Sequence, residues 1–196
     1  MIGPSRPLAP RPWLFNRGWG LLYDQERDLT WLQDMNYARS VGRTPDGQMD
    51  WDTAMSWVAS LMVYGVKGWR FPSALNHDES GPCIGDDCTD SEIGHLIFRP
   101  SSANGPNISF VNFDPSAVFW TSTEASETDA YALELTPIKQ GTLTKNPWSV
   151  ELYVPIGTIL AWPVHDGDVA TTLWRRWLSF TYWIGRLAGM VPLMRL

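Results

Sequence analysis

The chain has 196 residues, 44% of them apolar and 18% charged, with a formal net charge of −6. That composition excludes a disordered chain and predicts one ordinary domain with a real core, while the acidic balance argues against a nucleic-acid binder. Twelve tryptophans demand either a Trp-built core or an aromatic binding surface. All 21 acidic residues precede Val169, and four arginines (Arg175, Arg176, Arg186, Arg195) follow it. The expected organisation is an irregular segment over 1–17, a domain over 18–168 and a basic, Trp-rich tail over 169–196. The first residues lack the apolar stretch of a secretory signal, which suits a cytosolic chain or one whose precursor begins elsewhere.

Gly20 to Leu32 predicts a hairpin, with Leu21–Tyr23 and Leu29–Leu32 as strands around a polar turn. Asp24, Glu26 and Asp28 have the spacing of a calcium loop. Leu29 and Met35, however, stand where such a loop needs its glycine and its bidentate glutamate, so a solvated turn is expected. After the Pro45-Asp46-Gly47 turn, Trp51, Ala54, Val58, Leu61 and Met62 recur at helical spacing. Asp50 or Asp52 is the expected cap, and Gly65 the expected left-handed stop. Gly68 to Pro72 predicts a short buried strand. Thr89-Asp90-Ser91-Glu92 fits a capping box for a second helix, with Ile93, Leu96 and Ile97 inward and His95 off that stripe, at the surface.

Arg99 to Ser116 is rich in Ser, Asn, Gly and Pro, a long loop of the kind that carries function. Strands are expected at Val118–Thr123, Tyr131–Leu135 and Ile159–Val164, the last with a partner at Val150–Val154. The order of elements predicts an α+β domain with two helices, a mainly antiparallel sheet and a long loop.

Several stretches resemble a known bacterial family. They are Gly20-Leu21-Leu22-Tyr23-Asp24, Leu29-Thr30-Trp31-Leu32-Gln33-Asp34, Gly68-Trp69-Arg70-Phe71-Pro72, Ser91-Glu92-Ile93-Gly94-His95-Leu96, Phe119-Trp120-Thr121-Ser122-Thr123-Glu124 and Ala161-Trp162-Pro163-Val164. Over about residues 18–168 they are similar, in order, to the Lcl C-terminal domain family of a collagen-like adhesin. The resemblance implies a C-type-lectin-like fold whose termini pair in a sheet, and a secreted or surface-attached protein. The family's adhesin branch binds sulfated polysaccharides, but the acidic body here sits badly with a sulfated ligand. The Glu-Pro-Asn and Trp-Asn-Asp triplets of calcium-dependent sugar-binding lectins are absent.

Cys83 and Cys88 have four residues between them, and a local disulfide is favoured over free thiols or a metal or redox pair. Such a bond would suit an oxidising compartment. No Gly-x-Ser-x-Gly, His-Glu-x-x-His or phosphate-binding glycine loop is present. The pairs Asp86/Asp87 and Glu124/Glu127 read as solvated acids rather than a glycosidase pair, so neither enzyme nor cofactor nor metal is expected. Trp31, Trp69, Trp120 and Trp162 are assigned to the core. Asn112, Asp114, Glu124, Asp129 and the loop residue Trp148 are the candidate ligand contacts, for a glycan or a protein. In the tail, residues 173–191 have the pattern of an amphipathic helix, with Arg175 and Arg186 on a narrow polar stripe. It suits packing on the domain or a sister subunit, a membrane surface, or a spanning anchor over Trp177–Met194.

Overall fold

A computed structural model of the chain describes residues 13–98, 109–149 and 158–173. It is a mixed α+β structure with two sheets. The first sheet begins with β1 (Leu14–Gly18), β2 (Leu21–Asp24) and β3 (Leu29–Leu32), an antiparallel meander. The segment read as irregular therefore ends earlier than expected, because the Trp13 and Leu14 side chains are buried against this sheet. A one-turn helix α1 (Tyr37–Ser40) follows, and then α2 (Trp51–Ser60). A long excursion holds only the two-residue β4 (Gly85–Asp86) before α3 (Glu92–Phe98). The second sheet adds β5 (Val118–Glu124), β6 (Asp129–Leu135), β7 (Ile138–Thr144) and β8 (Ile159–Leu160), in the order β4-β7-β6-β5-β8. Finally β9 (Val164–Asp166) returns to the first sheet beside β3.

The expected hairpin over Gly20–Leu32 is β2–β3, and its Asp24–Asp28 segment is the polar turn. Asp50 caps α2 by accepting the Thr53 amide at 2.8 Å. Other readings are corrected. The helix stops at Ser60, not Gly65, because Leu61 turns extended and places Val63 in the core. Gly65 serves instead in a tight turn closed by paired Val63 and Val66 amides and carbonyls. Gly68 to Pro72 is no strand. It straddles both sheets, with Arg70 bridged to Val164 of β9 and the Pro72 carbonyl accepting Ser122 N of β5.

The expected strand Ile159–Val164 is two strands in two sheets. Ala161, Trp162 and Pro163 carry the chain across, and β8 pairs in parallel with β5. That crossing turns one expected sheet into two. β7 escaped notice because its inward side chain is polar. Gln140 is buried, and its amide donates to the Ala74 and Cys83 carbonyls at 3.0 and 2.8 Å. The capping box is also replaced. Ser91 accepts the Gly94 amide, while Glu92 turns outward from the helix start to Arg70 and to the Ser73 amide. The expected strand at Val150–Val154 and the tail beyond Leu173 lie outside the described residues.

The core has two parts. One joins α2 to Trp69, Phe71 and Trp120; the other packs the two sheets and α3 around Trp31, Phe119 and Trp162. Trp31, Trp69, Trp120 and Trp162 are all buried at 2% exposure or less. Three of these indoles donate to backbone carbonyls: Trp162 to Leu32 and Trp120 to Met49 across the chain, and Trp69 locally to Val66. A buried Trp N–H without an acceptor carries a desolvation cost that these three avoid, whereas the Trp31 N–H is buried with no acceptor among the described residues. Cys83 and Cys88 are joined by a disulfide that closes a short loop around β4, ahead of α3.

Candidate functional site

The visible end of the long loop is fastened to the first sheet. Val111 exchanges backbone hydrogen bonds with Gln33 and Met35, continuing beyond β3, and Phe110 packs edge-on against Trp162 at 5.3 Å. This attachment delivers Asn112, Phe113 and Asp114 to one rim of an open cavity of about 500 Å³. The other walls are Asn36, Arg39, Pro45, Asp46, Gln48 and Thr158. Gly47, with φ at +86°, lets the 45–48 turn close on α1. A Cβ there would lie 1.8 Å from the Asn36 side-chain oxygen.

The polar groups of this cavity are held in place before any ligand arrives. Asn112 donates to Asp34 at 2.8 Å and to Ser40 at 3.1 Å, in a left-handed backbone conformation. Asn36 donates to the Asp46 carbonyl while capping α1. Hydrogen bonds from Ser116, side chain first and then amide, hold the Asp114 carboxyl below the usual carboxylate range; the Gln48 amide does the same for Asp46. Both are therefore anionic at neutral pH, while Arg39 has no ion-pair or hydrogen-bond partner for its guanidinium among the described residues. Phe113 stands at the edge and is 55% exposed. Anchored acceptors, a cation and an exposed ring can bind a polar ligand that also presents an apolar face.

The five candidate contacts do not converge. Asn112 and Asp114 share this cavity, at the end where β5 begins. Glu124 and Asp129 lie at the far end of β5 and β6, roughly 20 Å away for a seven-residue strand. There Glu124 is paired with Lys145, and Asp129 accepts the Ser126 and Thr128 hydroxyls at 2.8 Å, so both close the hairpin turn. Trp148 is 56% exposed in a short helical turn (Pro147–Ser149) that follows Lys145. Sequence reasoning missed Asn36, Arg39, Asp46 and Gln48. The only signal was their density in the polar stretch between two apolar elements.

A second cavity, about 470 Å³, is lined by Arg27, Ser73, Asn76, His77, Glu79 and Glu92. Two of its charges already serve the fold, since Arg27 holds Asp90 and Glu92 holds Arg70. Among the described residues no group of three or more His, Cys, Asp or Glu is placed to hold a metal ion. No described helix is long and apolar enough to cross a membrane.

His95 is not at the surface. It is buried on α3, edge-on to Trp13 at 5.2 Å, with Nε2 3.5 Å from both Asp24 and Glu26. Asp24 is itself fully buried, and that burial pushes its carboxyl up to about 6 against the opposing amide hydrogen bonds from Arg27 and Glu26. Because the folded value lies above the unfolded one, this group favours folding fully below about pH 4 and loses that contribution as pH rises through 6. Asp24→Asn keeps the acceptor oxygen and cannot ionise. It is expected to exceed the parent in stability at pH 8 by about 1–3 kcal/mol and to match it near pH 4, read from urea midpoints. Equal midpoints at both values would show that Asp24 stays charged in the fold without penalty.

No family model, no curated protein and no solved structure matches the chain.

Proposed function

We propose that this chain is a non-catalytic binding module, with a C-type-lectin-like frame, that takes a glycan in the cavity between residues 36–48 and 112–114. The observation that carries this reading is the union of directed, pre-anchored polar groups with the exposed Phe113 ring on one rim. Sugars offer hydroxyl pairs for planar amides and carboxylates and an apolar C–H face for an aromatic ring. Both kinds of partner meet here. Support also comes from the Trp162–Phe110 contact, which ties the recognition loop to the rigid core, and from the disulfide, which suits a secreted or surface protein.

The test is calorimetric titration of a glycan panel in chelator, with the full chain and with Asn112→Ala, Phe113→Ala and Asp114→Ala. The expected result is saturable binding that survives chelator and weakens about tenfold or more in each variant, with melting temperatures unchanged within a few degrees. Binding that requires added calcium, or that all three variants retain, would contradict the proposal. Turnover of a panel member that a single carboxylate substitution abolishes would replace it with an enzyme.

A further inference from the structure

Two aromatic side chains stand in solvent where local backbone preference calls for other residues. Trp19 forms the β1–β2 turn between Gly18 and Gly20, and all three have positive φ (77, 53 and 71°). Tyr64, with Gly65, forms the two-residue turn between Val63 and Val66, at φ 51 and 77°. Such turns favour Asn, Asp or Gly, because a bulky side chain is strained at positive φ. Yet both rings are 56% exposed, so neither position is explained by core packing. The two face each other with centroids 6.3 Å apart and planes inclined by 50°, and the Tyr64 hydroxyl donates to the Trp19 carbonyl at 2.8 Å.

The aromatic pair connects to the cavity through the backbone: the Gln33 amide donates to the carbonyl of Gly20, next to Trp19, at 2.8 Å, and Asp34 is the following residue. Asp34 in turn holds Asn112 and Ser40, and Arg39 on the same helical turn lines the cavity. Among the described residues, Arg39 is the one cation lining the cavity, against two anchored anions, Asp46 and Asp114. A sulfated or otherwise anionic polymer would be repelled there.

Resting on the glycan reading above, we infer that the site is an extended groove for an uncharged oligosaccharide of several units. One unit sits in the cavity, and a further unit stacks on Trp19 and Tyr64. Backbone strain is retained at these two turns because the rings hold the chain that leaves the cavity.

The experiment titrates the full chain with neutral oligosaccharides of one to six units (β-linked glucose, N-acetylglucosamine and galactose series) and with heparin. Trp19→Asn, Tyr64→Asn and the double variant are compared with Asn112→Ala and with Trp148→Ala as control. Affinity is expected to rise with length, and each aromatic variant to lose roughly tenfold for the longer ligands while binding the monosaccharide as before. Their melting temperatures should equal or exceed the parent's, since Asn suits both turns. Asn112→Ala should weaken every length, and Trp148→Ala none. If single sugars bind through Asn112 but length and the aromatic variants change nothing, the groove is refuted and the cavity reading stands. If no sugar in the panel binds, or heparin alone binds, the groove falls. Melting temperatures that drop in the Asn variants would assign the two rings to the fold instead.

Discussion

Replacing Trp162 with alanine is expected to cost about 3–5 kcal/mol, seen as a lower urea midpoint with little change in slope. Trp162 is fully buried where the chain crosses between the sheets. Its ring lies 4.8 Å from Trp31, and 5.3 Å from both Phe119 and Phe110, while its N–H donates to Leu32 at 2.7 Å. Alanine leaves a cavity that rings from three separate segments cannot all move to fill. It also orphans a buried carbonyl. Because Phe110 rests on this ring, the same change should speed proteolysis within residues 109–114 before global unfolding. Trp162→Phe keeps most of the contact and should cost well under half as much. A loss below about 1 kcal/mol for the alanine variant would mean that the sheets are held elsewhere.

Arg70→Ala is expected to cost about 2–4 kcal/mol. The Arg70 guanidinium makes a bidentate pair with Glu92 of α3 at 2.9 and 2.8 Å, reaches Asp166 of β9 at 2.6 Å, and donates to the Phe71 carbonyl. One side chain thus ties the straddling segment, a helix and the last strand. Removing it leaves Glu92, only 17% exposed, beside Asp166 with no cation between them. The side chain is one-third exposed, and solvent screening puts the cost below that of a fully buried pair. Arg70→Lys should recover only part of the loss, since an ammonium cannot present two parallel N–H groups. A loss under 0.5 kcal/mol, or full rescue by lysine, would reduce the network to an ordinary surface pair.

The elements legible in the sequence were those whose inward face is apolar and whose turns are polar. The β2–β3 hairpin, the capped start of α2, and β5 with β6 all have that character. Cys83 and Cys88 were legible because proximity in sequence nearly settles proximity in space. What escaped was set by tertiary partners. Gln140 hides β7 by being polar and inward, and His95 is buried because Asp24 and Trp13 arrive from the first sheet. Ile159 to Val164 reads as one strand because it is apolar throughout; Pro163, which cannot donate to a ladder, is the one local mark of the crossing. Of the candidate site, Asn112 and Asp114 were named from the loop's composition. Their partners from 34–48 could not be, since a packed turn and a one-turn helix bring them there. Glu124 and Asp129 were misplaced because a hairpin turn uses the same polar residues as a binding loop.

The most direct test of recognition at this face is a two-dimensional nitrogen-15 NMR titration of the full chain with a neutral hexasaccharide in chelator. The Trp indole and backbone amide signals are followed together. The expected shifts are at the Trp19 indole and at the amides of Arg39, Gln48, Asn112 and Asp114, with the buried indoles of Trp31, Trp120 and Trp162 unmoved. Shifts confined to Trp148, Glu124 and Asp129, or the same pattern produced only on adding calcium, would contradict it.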